Sequence, residues 1–375
     1  MQKKAIVAGH ICLDITPVIP GSEKNSLSEL LSPGKLVETK EAKVSLGGAV
    51  ANTGLAMQFF GVDVKLMGKT GEDAFGDLIF KKLKEHGAET GLIRSKEENT
   101  SYTVVLAVPG IDRIFLHCPG ANNAYYAKDI PEEALKEASL FHFGYPPLMR
   151  SVYRNDGEEL LQILKKARTA GCATSLDLAA VDPDSESGRA DWKKILERTL
   201  PFTDFFVPSV EEVCFMLDRD RFLEWKERGK EEDVTDLLDP DKDIRPVGDL
   251  CMKLGCRVLL LKCGAKGLYY RTASKEALEE IPPRLSLDRD VWAEREGFER
   301  AFRPDRILSA TGAGDVSIAA FLTSVLSQNT PEESVSLAAA AGACCVSSYD
   351  ALSALVPLSE MKKRIEQGWE KNPAV

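Results

Sequence analysis

Ser309-Ala310-Thr311-Gly312-Ala313-Gly314-Asp315, running into Val316-Ser317-Ile318-Ala319-Ala320-Phe321-Leu322, is the stretch on which the reading of the whole chain turns. Small residues let a backbone turn tightly and approach a ligand closely. The apolar run behind them predicts a buried helix, with the glycines at its N-terminus. Unpaired N–H groups and the positive end of the helix dipole make that position a ready anion site. Asp315 falls in the same first turn, beside whatever anion binds. An anion cradle next to a carboxylate base suits phosphoryl transfer, a chemistry made mostly of positioning and charge stabilisation. The same residues also suit a plain strand-to-helix turn in which Asp315 is only a cap.

Outward from this turn, the chain of 375 residues is long enough for one large α/β domain or two ordinary ones. Its 44% hydrophobic and 28% charged residues are those of a soluble globular protein. A formal net charge of -10 argues against a general nucleic-acid binder, though backbone dipoles can still hold a small anion. The nine cysteines form no CxxC pair, and Cys251, Cys256 and Cys263 lack zinc-site spacing. The opening Met1-Gln2-Lys3-Lys4 leads straight into a strand, too short and interrupted for a signal peptide or membrane span. A reduced, cytoplasmic protein with no membrane partner is expected.

Ala5-Ile6-Val7-Ala8-Gly9 reads as a buried strand with Asp14 just beyond. Residues 15–45, with Pro17, Pro20, Pro33 and Gly34, read as an excursion from the core carrying one or two exposed strands at Leu36–Thr39 and Ala42–Ser45. Leu46-Gly47-Gly48-Ala49-Val50-Ala51-Asn52 then opens a second apolar helix behind a double glycine. Asn52, one turn in, needs a hydrogen-bond partner to be tolerated in a core. Gly68-Lys69-Thr70 imitates the end of a Walker A loop, but Asp63 stands where that motif needs glycine. Thr103–Leu106 and Arg113–His117 flank Pro109-Gly110-Ile111-Asp112 as a hairpin, closed by Gly120-Ala121-Asn122-Asn123. From residue 139 strands alternate with helices: Leu140–Phe143, Thr174–Asp177, Phe205–Val207 and Val258–Leu261 are apolar on both faces. This pattern predicts a parallel sheet covered on both sides, with ligands beyond the carboxyl ends of its strands. Two long segments, about 218–247 and 272–306, read as insertions, the first mainly solvated and the second either a surface excursion or a cover over part of the site.

Gly47-Gly48 with Asn52, and Thr311-Gly312-Ala313-Gly314-Asp315, together resemble the two signatures of ribokinase-like (PfkB-type) carbohydrate kinases. Asp14, Gly120-Ala121-Asn122 and Gly264-Ala265-Lys266-Gly267 fall in matching places, so the resemblance spans nearly the whole chain. It implies one domain over 1–375: a central, mostly parallel sheet sandwiched by helices. A small β lid would arise from segments near 15–45 and 97–122. By this resemblance Asp14, Gly47, Gly48, Asn52 and Asn122 would bind a small sugar or polyol. Asp315 would be the base, and the N–H groups of Gly312, Ala313 and Gly314 the anion hole. Ser209, Gly264, Gly267 and Thr311 would line ATP, and Glu212 would act on Mg2+ indirectly. A homodimer through the lid is compatible with it.

The chain departs from the family pattern at three places. Ser309 replaces an Asp that in many members helps hold a monovalent cation, so a weak response to potassium is expected. The Asn-x-x-Glu motif becomes Ser209-Val210-Glu211-Glu212, and Val316-Ser317 follows Asp315 where Ala-Phe is common. Ala49-Val50 offers no basic residue between the glycines and Asn52, which disfavours a phosphorylated acceptor unless a lid residue supplies one. A nucleoside kinase of the same fold, and a non-catalytic sugar- or nucleotide-binding regulator, stay open as alternatives. A dinucleotide oxidoreductase does not, since Ser317 stands where a third glycine would be needed.

Overall fold

The computed structural model describes residues 3–19, 32–106, 114–229 and 234–373. In chain order the strands begin with β1 (Lys4–Gly9), β2 (Cys12–Pro17), β3 (Ala42–Gly47), β4 (Asp63–Met67) and β5 (Lys69–Gly71). They continue through β6 (Glu89–Thr90), β7 (Ile93–Ser95), β8 (Tyr102–Leu106), β9 (Ile114–Cys118) and β10 (Leu140–Gly144). The last are β11 (Ala173–Leu176), β12 (Phe205–Phe206), β13 (Val258–Lys262), β14 (Gly267–Thr272) and β15 (Glu296–Arg300). Four helices carry the argument: α1 (Ala49–Phe59), α2 (Val210–Leu217), α3 (Ala313–Leu326) and α4 (Pro331–Cys345).

Runs such as Val258-Leu259-Leu260-Leu261 are buried on both sides, and strands of that kind persist only where helices cover both faces. The nine-stranded sheet meets that need, in the order β15-β14-β13-β12-β11-β10-β1-β4-β6. From β13 to β6 every neighbouring pair is parallel, and only β14 and β15 run antiparallel at the edge. One face, through Val7, Leu140, Phe205 and Leu260, packs on α1, α3 and α4. The other, through Ile6, Phe141, Phe206 and Leu259, packs on α2 and the helical stretches 150–169 and 192–199. Both α1 and α3 are apolar around most of their circumference, as helices pressed between a sheet and other helices must be.

A second sheet, β3-β2-β8-β9, emerges from the carboxyl end of β1. Asp14 therefore lies within a strand of this small sheet, paired with Ser45 and Thr103, and not in a loop after β1. The hairpin is present as the antiparallel pair β8 and β9, and its expected turn at 109–112 lies outside the described residues. Of the one or two strands expected in the excursion, the one at Ala42–Gly47 forms and Leu36–Thr39 is not a strand.

The two insertions are more integrated than their charge suggested. In the first, Trp225 is fully buried, its indole Nε1 donating to Asp243 Oδ1 at 3.1 Å, and Leu238 and Ile244 join the same core. The second supplies the sheet's edge strand β15 and the buried Trp292, whose ring meets Phe205 and Phe321 edge-on. Charged residues on the outer faces masked both apolar anchors. Among the described residues no helix is long and apolar enough to cross a membrane.

Candidate functional site

The two glycine-led helices meet at their N-termini. Gly48 caps α1 with φ 85° and Gly312 caps α3 with φ 79°, left-handed conformations that favour glycine. A β-carbon on Gly48 would lie 2.5 Å from the His10 carbonyl oxygen, and one on Gly312 would lie 2.6 Å from Ala351 Cβ. Gly47 is equally constrained, since the Asp14 carboxylate sits where its side chain would be.

Asp315, 4% exposed, stands in the first turn of α3. Asn52 Nδ2 donates to its Oδ2 at 3.0 Å, and Thr53 Oγ1 donates to its Oδ1 at 3.2 Å. The polar residue that a buried helix could not tolerate alone thus finds its partner 263 positions away. The Tyr145 hydroxyl donates to both oxygens, at 2.8 and 2.7 Å. Neither Thr53 nor Tyr145 was singled out by sequence. Thr53 could have been found as the residue beside Asn52 on the helix; Tyr145 had no local signal.

Asp14 and Asp315 lie close enough to feel each other. Burial raises the Asp14 carboxyl above the ordinary range, the Asp315 charge raises it further, and hydrogen bonds from Cys12 and Thr103 partly offset this. Cys12 Sγ donates to Asp14 Oδ1 at 3.4 Å. Thr103 Oγ1 also meets His117 Nδ1 at 3.0 Å, and His117 Nε2 meets His10 Nε2 at 3.3 Å. Burial holds both imidazoles below the usual histidine range, so this wall of the pocket is neutral at pH 7. Asn122 is spent elsewhere. Its Nδ2 donates to the Ile11 and Pro119 carbonyls at 2.9 and 3.1 Å, and its Oδ1 accepts from Ile11 N at 3.2 Å. It braces the segment that leads from β1 to Asp14 and presents no free donor to a ligand.

Beneath the Gly312–Gly314 turn lies a buried ion pair, Lys262 Nζ to Asp177 Oδ1 at 2.7 Å. A β-carbon on Gly314 would be 3.7 Å from that ammonium, so Lys262 faces the backbone of the turn. Burial works to lower Lys262, but Asp177, Glu212 and Asp315 outweigh it and hold the ammonium above its usual value. Burial pushes Asp177 up to about 8 against the pull of Lys262, with Glu212 and Asp315 adding to the rise. Three carboxylates therefore face one cation. His142, wholly buried on β10, shares this layer: its Nδ1 meets Ser175 Oγ at 2.9 Å, and burial pulls it down to about 3.

In the turn itself, Ala313 N donates to Ala310 O at 3.3 Å, while Gly314 and Asp315 begin the helix, where N–H groups have no intrahelical acceptor. Ser309 Oγ accepts from Thr311 N at 3.1 Å and meets Thr311 Oγ1 at 3.0 Å, which ties its hydroxyl into the turn. Ser209 precedes α2, and its N–H donates to Glu212 Oε2 at 2.8 Å, so Glu212 caps its own helix. Gly264 opens the turn after β13, with Thr235 Oγ1 packed over it, and Lys266 Nζ reaches Leu238 O at 2.6 Å. The first insertion thus roofs this loop. Gly267 starts β14 where a β-carbon would collide with the Glu299 carbonyl oxygen of β15, which gives it a packing reason to be glycine. Among the described residues no group of three or more His, Cys, Asp or Glu side chains is placed to hold a metal ion.

The arrangement offers a carboxylate held by three donors, a glycine turn at a helix N-terminus, and a lysine beneath it. These lie at the carboxyl ends of the strands, where open α/β sheets bind ligands. The family model described as "pfkB family carbohydrate kinase" matches residues 3–357. The chain is 22% identical over 315 residues to 2-dehydro-3-deoxygluconokinase of Bacillus subtilis, covering 83% of each. It is 24% identical over 330 residues to probable fructokinase-5 of Arabidopsis thaliana, covering 84% of this chain and 87% of that one. The fold is similar to that of a fructokinase with bound ATP from Xylella fastidiosa, with TM-score 0.71 at 20% identity over 98% of this chain and 99% of the other. It is similar also to Arabidopsis thaliana ribokinase complexed with ribose and ATP, with TM-score 0.69 at 20% identity over 97% and 98% of the two chains.

Proposed function

The chain belongs to the pfkB family of carbohydrate kinases, and we propose that it transfers the terminal phosphoryl group of ATP to a hydroxymethyl group of a small, unphosphorylated sugar or polyol. One observation carries this reading: Asp315 stands in the first turn of a glycine-capped helix, with an amide and a hydroxyl from a second such helix fixing its carboxylate.

In this reading Asp315 takes the proton of the acceptor hydroxyl as that oxygen attacks the γ-phosphorus. An alcohol is far too weak an acid to ionise unaided at pH 7. The new bond joins the acceptor oxygen to phosphorus, the bond to the β–γ bridging oxygen breaks, and ADP leaves. The N–H groups of Gly314 and Asp315, with the Lys262 ammonium below, meet the charge on the phosphoryl oxygens. Glu212 and Asp315 beside the Lys262–Asp177 pair outnumber its one cation, which fits a nucleotide that arrives as its Mg2+ complex and not as the free polyanion. Asp14, on the small sheet, holds the remaining hydroxyls of the acceptor, and that sheet acts as the lid. The donors around both carboxylates are Asn52, Thr53, Thr103, Cys12 and Tyr145, all neutral, which supports an uncharged acceptor.

ADP release measured with MgATP across hexoses, pentoses, polyols and nucleosides tests the reading. A sugar or polyol is expected to turn over best; a nucleoside doing so would move the assignment within the fold. Asp14→Ala is expected to weaken acceptor binding by about 1–3 kcal/mol with ATP affinity unchanged. Turnover is expected to respond weakly to potassium chloride against an ionic-strength control, because Ser309 brings only a hydroxyl, already used within its own turn.

A further inference from the structure

A carboxylate offers about four lone-pair positions, and three donors crowd those of Asp315. Oδ2 accepts from Asn52 and Tyr145, and Oδ1 from Thr53 and Tyr145. The phenol, astride both oxygens, covers the edge that Asn52 and Thr53 leave, so an attacking hydroxyl has to move it aside before Asp315 can act as a base. Asn52 and Thr53 are not free to go. Both sit on α1, which is packed along α3, and Thr53 is fully buried.

Tyr145 differs in each respect. It lies in the short connection between β10 and the Pro146–Leu148 turn, and it is only partly buried. Its φ of 64° and ψ of 43° are left-handed, a strained conformation for a bulky side chain. It spreads one hydroxyl proton over two oxygens. Its ring lies 6.0 Å from His10, which lies 5.1 Å from His117 of β9. His117 in turn meets Thr103, the neighbour of Asp14. The phenol ring thus abuts the row of histidines that ends at Thr103, beside Asp14.

We propose that Tyr145 is an acceptor-discriminating residue whose hydroxyl stands on Asp315 in the place of the acceptor's own, to be displaced only by a ligand that also grips Asp14. This rests on Asp315 being the base. A sugar brings further hydroxyls whose contacts offset the displaced phenol; a water molecule brings none. Tyr145 thereby suppresses the wasteful reaction in which water attacks the γ-phosphorus, the β–γ bridge breaks, Asp315 takes the proton, and inorganic phosphate and ADP are released. It also disfavours acceptors with few hydroxyls.

Tyr145→Phe removes the hydroxyl and keeps the ring. With MgATP alone, phosphate release is expected to rise about tenfold or more, the scale of a lost hydrogen bond to a charged group. With glycerol as a minimal acceptor, kcat/KM is expected to rise by a similar factor while the melting temperature holds. Tyr145→Asn, which tolerates the left-handed backbone and is too short to reach Asp315, is expected to move both quantities in the same direction. Unchanged or lower phosphate release in both variants, with reduced kcat, would overturn the proposal and make Tyr145 a residue that orients the base. Asp315→Asn run alongside separates the two levels. If it keeps full turnover, the base assignment falls; if it is inactive while the Tyr145 variants show no gain, only the gate falls.

Discussion

The junctions at Gly48 and Gly312 are built alike and do different things. Each places a left-handed glycine before an almost wholly buried helix, without a side-chain cap. At the first, the glycine is wedged against the His10 backbone and the first turn carries no acid, only Ala49, Val50 and Ala51 before Asn52. At the second, the glycine faces Ala351, whose Cβ would be the nearest atom, and the first turn carries Asp315 above the Lys262–Asp177 pair. One junction is a packing joint that delivers an amide; the other is an open cradle that delivers a carboxylate. Local sequence makes the turn in both cases, and what lies across from it decides the chemistry.

Substituting the two glycines separates these roles. Gly48→Ala forces a left-handed alanine against backbone atoms that cannot yield, and is expected to cost roughly 2–5 kcal/mol of stability, read by denaturant unfolding. Gly312→Ala meets Ala351 on a loop and not the sheet-anchored His10 backbone, so about 1–3 kcal/mol is expected there, with turnover lost well beyond that cost in folding. Equal stability losses with equal residual activity would erase the distinction. A smaller effect sharpens it: Lys262→Met should lower kcat by roughly 10–10³-fold, the range for removing one charge-stabilising donor, and leave acceptor binding intact.

The smallest expected effect at neutral pH concerns the layer below the second junction. Burial holds His142 near 3, below its unfolded value of about 6.5, so the folded protein binds fewer protons in that window. Its contribution to stability is therefore complete above about pH 6.5 and is lost as pH falls toward 3, by up to about 1.4 kcal/mol per pH unit. Asp177, pushed up to about 8, works in the opposite sense, favouring the folded state at low pH and ceasing to do so as pH rises through 8. His142→Gln keeps a partner for Ser175 and should flatten the acid-side decline relative to the native chain, measured as melting temperature between pH 4 and 7.

The alternation of apolar strands and helices, the two glycine turns and the need of Asn52 for a partner were legible from residue types and spacing. Which partner it finds was not, because Asp315 comes to Asn52 only when α1 and α3 pack on the same sheet face. Tyr145 escaped for a sharper reason. A residue before proline is normally pushed toward extended backbone, whereas Tyr145 turns left-handed to point its hydroxyl at a side chain 170 positions later. The Lys262–Asp177 pair depends on strand order, which no local window carries. Trp225 was hidden by the charged residues around it, and Asn122 sat where a ligand-binding amide was expected but spends both donors on backbone carbonyls.

The most direct test of the account is Asp315→Asn, with nucleotide binding by calorimetry set beside turnover on the best acceptor. The substitution keeps the shape of the side chain and removes its ability to take a proton. The account predicts ATP affinity within about threefold of the native chain and kcat lower by roughly 10²–10⁴, the range for a general base. Turnover within tenfold of the native chain, at unchanged ATP affinity, would contradict it.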